Sequence, residues 1–350
     1  MANLSRQPPA VSLCVPTFNR AHALGRTLDS LLQQTFRNFE LLIVDNASSD
    51  ETAEVVGRFD DPRIRYYRNS RNLGMYPNWN RCLDLSRGEY VAIYHDHDLY
   101  DPRIVERAVA ILNSHPEVSF VYTGVRTIDR AGRNVRTWAE AWWPALVPGR
   151  RIARRMARRW SSFVQASTVM ARRDAYARAG RYPENLGAPA DMDMWVRLAL
   201  IGDVGYIVEP LVATPVRQLG DDAFQPLWAN VQALARIQRT NWARAYAGHP
   251  LMLTAGRIWC PLRRDAGYLF FLASAVMKGD SERVRQSTSI ITAECLRITR
   301  LLAWVLRKAP FTARALHAFA PAYRLWKKVS WGAIRTVLWV TASRGGALRW

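Results

Sequence analysis

Tyr90-Val91-Ala92-Ile93-Tyr94-His95-Asp96-His97-Asp98-Leu99-Tyr100-Asp101-Pro102 divides into a strand and the chemistry at its end. Its first five residues are β-branched, aromatic or small and follow the turn pair Arg87-Gly88, which predicts a buried strand. The strand runs straight into alternating imidazoles and carboxylates, and Pro102 reopens the chain toward a helix. Asp96 and Asp98, just past the C-terminal end of a strand, can share one hard divalent cation such as Mg²⁺ or Mn²⁺. Open α/β sheets hold their ligands at that edge. The competing reading is a polar loop with satisfied histidines.

Upstream, Val11 to Val15 reads as a first strand closed by Pro16-Thr17-Phe18-Asn19-Arg20, followed by an amphipathic helix carrying Leu24, Leu28, Leu31 and Leu32. Phe39 to Val44 is a second strand, and Asp45-Asn46-Ala47-Ser48-Ser49-Asp50 supplies N-cap candidates for a helix over Glu51 to Phe59. Ile64 to Tyr67 and Pro77 to Leu85 complete a β-α-β-α-β alternation, the pattern of a parallel, doubly wound nucleotide-binding half. Three strand ends then deliver polar groups to one rim: Pro16 to Asn19, Asp45, and Asp96 with Asp98. A carboxylate about thirty residues after the first strand suits a ribose hydroxyl or a base edge. No glycine-rich phosphate loop is present, so a cation held by Asp96 or Asp98 is the candidate to neutralise a diphosphate.

Downstream, Val105 to Leu112 reads as a helix and Val118 to Val125 as a strand, and the Trp-rich segment Trp138 to Pro148 reads as a covering loop. On a helix, Arg151, Arg154, Arg155, Arg158 and Arg159 share one face, where stacked like charges favour an anion over a merely solvated surface. Ser167 to Met170 is expected as a short strand and Asp174 to Ala179 as a helix. Asp191 opens a further helix, where the dipole favours a carboxylate, and it is the candidate general base. Tyr206 to Val216 is expected to hold two short strands. Beyond about residue 222 the pattern turns helical, over Leu227 to Tyr246, Gly267 to Met277, Val284 to Leu306 and Trp326 to Thr341.

The composition sets outer bounds. With 350 residues, 49% hydrophobic and 14 Trp, the chain can bury a sizeable core in two domains, or in one with an appendage. Its 49 basic against 29 acidic residues give a net charge of +20, and only four of the basic residues are Lys. That balance points to nucleic acid, an anionic membrane surface or phosphorylated substrates. Cys14, Cys82, Cys260 and Cys295 form no CxxC pair, which argues against metal knuckles and disulfide scaffolds and for reduced thiols in a cytoplasmic setting. Neither a signal peptide nor a membrane-spanning stretch is expected. From His249 onward, 17 Lys and Arg face 4 Asp and Glu, interleaved with Trp304, Trp326, Trp331, Trp339 and Trp350. This suits helices lying in a membrane interface, with an ordinary basic helical cap as the alternative.

Val11 to Arg20, Thr27 to Thr35 (Thr27-Leu28-Asp29-Ser30-Leu31-Leu32-Gln33-Gln34-Thr35) and Glu40 to Asp50 together resemble a family 2 glycosyltransferase, and the pattern extends over residues 10–218. The resemblance implies an α/β fold of the GT-A type, two abutting Rossmann-like halves with a mostly parallel central sheet, here with a C-terminal helical extension. It also implies a nucleotide-diphospho-sugar donor, a divalent metal (Mn²⁺ or Mg²⁺) and transfer with inversion. By position, Pro16, Thr17 and Asn19 would line the nucleotide site, and Asp45 would contact base and ribose. Arg71, Asn72 and Gly74 would flank the sugar nucleotide, Asp191 would be the base, and Arg217 would lie near the donor phosphates. The His95 to Asp98 run falls on the metal motif, with Asp96, Asp98 and His97 as metal candidates and Asp96 also beside the donor. Departures are visible: the motif's usual aspartates align with His95 and His97, Ala190 replaces a Glu, and Leu219 stands where a His often follows the Arg. Either Asp96 and Asp98 take over, or His97 ligates the metal, which Mn²⁺ tolerates better than Mg²⁺.

The expected organisation is a tail over residues 1–9, a nucleotide-sugar-binding half over 10–104, an acceptor-binding half with the base over 105–222, and a basic helical region over 223–350 at a membrane surface. The expected partners are a UDP-, GDP- or dTDP-sugar, a lipid-linked or cell-surface polysaccharide acceptor, and the anionic inner face of the cell membrane, with no nucleic acid. A nucleotidyltransferase would need a Gly/Arg/Lys-rich loop where Pro16-Thr17-Phe18-Asn19 stands. A nucleic-acid-binding protein would explain the charge but leaves the strand-end carboxylates without a role. An inactive membrane-bound scaffold is the remaining alternative, motivated by His95, His97 and Ala190.

Overall fold

The computed structural model describes residues 8–139, 144–159, 162–184, 189–216, 227–277 and 280–308. In chain order the first elements are β1 (Val11–Thr17), α1 (Ala21–Leu32), β2 (Phe39–Asp45), α2 (Thr52–Gly57), β3 (Ile64–Arg68), α3 (Met75–Leu85) and β4 (Tyr90–Ile93). They are followed by β5 (Leu99–Tyr100), α4 (Ile104–Ser114), β6 (Val118–Ile128), β7 (Asn134–Trp138), β8 (Leu146–Val147) and α5 (Gly149–Arg158). A 3₁₀ turn at Ala166–Thr168 precedes β9 (Met170–Arg172), α6 (Arg173–Ala179), α7 (Ala190–Ile201) and β10 (Asp203–Pro215). The chain then becomes helical: α8 (Leu227–Ala245), α9 (Pro250–Met277), α10 (Ser281–Glu294) and α11 (Arg297–Lys308).

One sheet runs in the order β3-β2-β1-β4-β9-β6-β10-β5, with β7 added to β6 and β8 to β10. β3, β2, β1 and β4 are mutually parallel, as are β6 and β10, and antiparallel β9 joins the two groups. Strands covered on both faces need apolar residues throughout, and β2 (FELLIVD) is buried at every position. Val11, Leu13 and Val15 of β1 pack with Leu24, Leu28 and Leu31 of α1, spaced for one helical face, and with Ile104, Val105 and Leu112 of α4. On the other face, Cys14 Sγ lies 3.3 Å from Ser86 Oγ at the end of α3. The four cysteines are buried free thiols.

A polar knot inside the sheet fixes the register of β1. Ser12 Oγ donates to Glu40 Oε1 (2.6 Å) and accepts from the amides of Arg87 (3.0 Å) and Gly88 (2.9 Å). Glu40 is in turn paired with Arg65. Gly88 allows this approach because it has no side chain: a Cβ there would lie 2.5 Å from Ser12 N and 2.6 Å from Val11 C.

Several elements depart from the sequence expectations for identifiable reasons. Tyr206 to Pro215 is part of one long strand, β10, rather than two short ones ending at Val216, and its register against β6 shifts on either side of Pro210. A proline cannot donate to the ladder, so the irregularity reads locally as a break. Ser167 to Met170 is a 3₁₀ turn followed by β9 rather than a strand. The covering loop instead begins in β7 and ends in β8, and Arg136 stacks on Trp138 at 3.5 Å. Val284 to Leu306 is two helices, because the buried Asp265 carboxylate of α9 takes the Leu296 amide (2.8 Å) and the Thr299 hydroxyl (2.9 Å), starting α11 afresh. The Gly267 helix extends back to Pro250 through Pro261. Arg217, Leu219 and Trp326 to Thr341 lie outside the described residues.

Two compact units divide the chain, residues 1–224 and 225–350. Within the second, Trp242 Nε1 donates to Met252 O (2.7 Å), and the bare Cα of Gly256 gives that indole room. Among the described residues, no helix is long and apolar enough to cross a membrane. Gly88→Ala is expected to destabilise the first unit by about 2–3 kcal/mol, since the clash is with rigid backbone. The denaturant midpoint measures this, and a loss below about 0.5 kcal/mol would contradict the account.

Candidate active site

The C-terminal ends of β1 and β4 open into a cavity of ≈ 570 Å³, whose walls include Pro16, Thr17, Phe18, Asn46, Asn72, Trp79, His95, Asp96 and His97. Two loops form its floor and hold each other. Asn46 N donates to Thr17 O (2.9 Å), Asn19 N to Ser48 Oγ (2.9 Å) and Ser49 N to Asn19 Oδ1 (2.8 Å). Asn19 (φ 52) and Ala47 (φ 64) sit in the left-handed region without being glycine, a cost of about 1–2 kcal/mol each that the clamp must offset. Asn46 extends the clamp to the third loop, donating to Asn72 Oδ1 (2.7 Å) and accepting from Leu73 N (2.9 Å).

The expected site residues separate under this geometry. Pro16, Thr17, Asn72, Asp96 and His97 line the cavity, and the Thr17 hydroxyl is buried with no hydrogen-bond partner. Asn19 instead spends its side chain on the loop clamp. Asp45 is 0% exposed, and its oxygens accept from Ser48 N (2.8 Å) and Tyr66 Oη (2.7 Å). Its carboxylate therefore organises the loop beneath the cavity, and Asn46 next to it is the residue that faces in. Arg71 is exposed and not part of the cavity wall. Sequence reasoning missed the basic wall formed by Arg20, His22 and Arg26 at the start of α1. The available signal was the i, i+4 spacing of His22 and Arg26 on the polar side of that helix.

His95, His97 and Asp98 each offer one ligand atom within 4.8 Å of the other two. Asp98 is 0% exposed and neither oxygen has a hydrogen-bond partner, the nearest imidazole nitrogens being His95 Nδ1 at 3.5 Å and His97 Nε2 at 3.9 Å. Those separations are long for hydrogen bonds, and they match atoms that each stand about 2.0–2.3 Å from a shared ion. The residues present thus fit a divalent cation, and two imidazoles with one carboxylate suit Mn²⁺ better than Mg²⁺. Asp96 is outside this trio. Its Oδ1 meets His97 Nδ1 at 3.0 Å, which turns His97 Nε2 toward Asp98. Burial opposes charge on His97, but Asp96 and Asp98 outweigh it and raise its pKa. Burial likewise opposes ionisation of Asp98, yet His95 and His97 hold its carboxyl below the usual range.

Asp191 begins α7, with Met192 N donating to its Oδ1 (2.8 Å). Farther along, Arg197 pairs with Asp193 (2.8 Å) and donates to the carbonyls of Ala179 and Arg181, tying the helix to the end of α6. Asp191 keeps partial exposure but is enclosed by protein on most sides. Burial pushes its carboxyl up to about 6, although the Met192 amide and the nearby His95 charge pull the other way. An acid of that kind is ionised at neutral pH and still basic enough to take a proton.

A largely parallel α/β sheet with acids and imidazoles gathered at its C-terminal rim places those groups where open α/β sheets bind their ligands. Residues 12–180 match the glycosyl transferase family 2 model, so this region is a family 2 glycosyltransferase domain. Among its relatives is the putative glycosyltransferase EpsE of Bacillus subtilis, 28% identical over 204 residues that span 57% of this chain and 69% of that protein. An uncharacterized glycosyltransferase of Rickettsia typhi is 24% identical over 59% of this chain and 64% of its own length. The chain thus spans about two thirds of the length of these curated relatives. Among solved structures, S. aureus TarS 1–349 in complex with UDP-GlcNAc superposes with a TM-score of 0.60 at 16% identity, covering 85% of this chain and 91% of that one. The mannosyltransferase PcManGT of Pyrobaculum calidifontis, in complex with GDP-Man and Mn²⁺, gives a TM-score of 0.50 at 18% identity, covering 93% of this chain and 85% of that one. The fold is GT-A.

The raised Asp191 carboxyl has a consequence for stability. A group whose folded pKa lies above its ordinary value favours folding while protonated, and that contribution is lost as pH rises through about 6. Asp191→Asn removes the buried charge, so at pH 8 it should stabilise the protein by roughly 1–2 kcal/mol after allowance for partial exposure. A Tm higher by roughly 2–6 °C is expected at pH 8, shrinking to little difference near pH 3, below the ordinary carboxylate range, where Asp191 is protonated in the folded and unfolded chain alike. An unchanged or lower Tm at pH 8 contradicts the desolvation argument.

Proposed function

We propose that this protein is an inverting glycosyltransferase that moves a sugar from a nucleotide-diphospho-sugar to a hydroxyl of a lipid-linked or cell-surface polysaccharide acceptor. The observation that carries the reading is Asp191, a carboxyl raised to about 6, within electrostatic reach of His95 of the His–Asp cluster. In this reading residues 10–104 hold the donor, and residues 105–222 bind the acceptor and supply the base. The pocket between the clamped loops takes the nucleotide, with Thr17, Asn46 and Asn72 offering hydrogen bonds and Phe18 and Trp79 offering apolar surface. TarS and PcManGT were solved with UDP-GlcNAc and GDP-Man, which supports a UDP- or GDP-linked donor here.

His95, His97 and Asp98 would hold Mn²⁺, with Asp96 orienting His97 through the ring nitrogen that faces away from the ion. When bound, the cation supplies Lewis-acid stabilisation of the departing diphosphate. Arg20 and Arg26 add positive charge on the same wall. Asp191 takes the proton from the acceptor hydroxyl as that oxygen attacks the anomeric carbon from the face opposite the leaving group, so the configuration inverts. The trio's chemistry and the Mn²⁺ in PcManGT support the metal assignment.

The basic helical region, residues 223–350, would rest on the anionic inner face of the cell membrane, the surface in which a lipid-linked acceptor is embedded. Exposed Trp304 in α11 (56% exposed) is of the kind that sits at such an interface.

In Asp191→Asn, transfer should fall by at least about 100-fold, while nucleoside diphosphate affinity stays within about twofold. Wild-type turnover should rise with pH through about 6, because only the ionised carboxylate accepts the proton. Substantial transfer by the variant, measured as sugar incorporated into acceptor, would remove Asp191 as the base.

A further inference from the structure

We propose that Tyr100 and Thr27 are positioning residues for the cation site, fixing the backbone of the loop whose side chains would hold the ion. The inference rests on the reading of His95, His97 and Asp98 as a Mn²⁺ site, and it names what gives that trio its geometry.

The trio sits on the short loop between β4 and β5, and its side chains do little to place themselves. Ser167 and the two imidazoles approach the Asp98 carboxylate, yet neither of its oxygens completes a hydrogen bond. Backbone and packing therefore aim it. The His95 ring lies against the rings of Trp79 and His97, with centroids at 5.8 and 5.5 Å. Ligands carried on one short loop bind an ion well only when that loop is held to within about 0.5 Å.

Two hydroxyls hold it. Tyr100 Oη accepts from the His95 amide (2.8 Å) and donates to the His95 carbonyl (3.3 Å), closing the loop on itself. Burial pushes this phenol well above its ordinary pKa, so its proton stays in place to donate. Thr27 Oγ1 reaches the same loop from the buried face of α1 and donates to the Asp98 carbonyl (2.9 Å). That side of the helix extends the contact. Ser30 Oγ takes the Tyr100 amide (3.2 Å), and Gln34 Nε2, just past the end of α1, donates to Asp101 O (3.0 Å). Leu24, Leu28 and Leu31 seat α1 in the core, so these bonds refer the loop to the rigid part of the sheet.

Tyr94 supplies an internal contrast. Its ring stacks on that of Tyr100 at 4.2 Å, but its hydroxyl is buried with no hydrogen-bond partner. The two phenols are alike in size and burial, and only one of them bonds the loop.

The test is a Mn²⁺ titration of the full chain, read from the electron paramagnetic resonance signal of the free ion. Tyr100→Phe and Thr27→Val each keep the packing and delete one hydroxyl, and each should weaken Mn²⁺ binding by about tenfold or more. Tyr94→Phe should change it by less than about twofold. In donor hydrolysis by Tyr100→Phe, the half-saturating Mn²⁺ concentration should rise about tenfold, while turnover at saturating Mn²⁺ stays within about twofold of wild type. A hydroxyl that serves folding alone would instead lower turnover at every Mn²⁺ concentration. Wild-type affinity in either folded hydroxyl variant, or an equal loss in Tyr94→Phe, overturns the proposal. Thr27→Val carries the test if Tyr100→Phe does not fold. Asp98→Asn separates the two levels of the account: wild-type affinity there defeats the metal reading and this inference together. Affinity lost in Asp98→Asn but kept in the hydroxyl variants defeats this inference alone.

Discussion

The parallel register of β1 against its two neighbours is the constraint on which the site depends. Thr17 lies beside Asp45, and Cys14 beside Ile93, so three strands end at one edge with their loops adjacent. A slip by one residue would turn Val11, Leu13 and Val15 away from α1 and carry the loop chemistry out of alignment. The Ser12 hydroxyl guards against such a slip, because its partners on Glu40, Arg87 and Gly88 are available in one register only. A buried polar group that loses its partners costs about 1–3 kcal/mol, which penalises the alternative pairings.

The rim built on that register holds its charged groups at some cost to stability. Asp98 is sealed from solvent with no hydrogen bond to its oxygens, and Asp191 is desolvated enough to titrate near 6. Asn19 and Ala47 keep a left-handed backbone in the two loops that shape the nucleotide pocket. Such features persist because the surrounding structure over-determines them: tight parallel pairing below, the Asn46 clamp across the loops, and Arg197 anchoring α7. Strain and desolvation concentrated at one rim are what a site prepared for an anionic ligand and a proton transfer requires.

Much of this was legible in the sequence, because apolar periodicity reports burial directly. The strand at Tyr90, the flanking β1 and β2, the leucines of α1 and the start of α7 at Asp191 each follow from local pattern. What the pattern does not carry is the third dimension. The roles of Asp96 and Asp98 diverge because the two carboxylates meet opposite nitrogens of the His97 ring, Asp96 at Nδ1 and Asp98 toward Nε2. Asp45 reads as a ligand contact, yet Tyr66, 21 residues later, closes over it. The division between α10 and α11 is set by Asp265, more than one helix upstream. Pro210 made a bulged strand look like two. In each case the deciding partner is distant in sequence, where propensity is silent.

The resemblance to family 2 glycosyltransferases, carried by the motifs from Val11 to Asp50, anticipated the family and the fold. The central claim is narrower: that the irregular His95 to Asp98 run forms a working cation site for a sugar nucleotide. The most direct test is hydrolysis of UDP-, GDP- and dTDP-sugars by the purified protein with Mn²⁺, with EDTA, and in Asp98→Asn. The account predicts turnover of one of these donors with Mn²⁺, abolished by EDTA and by the substitution. Turnover that survives both treatments would contradict it.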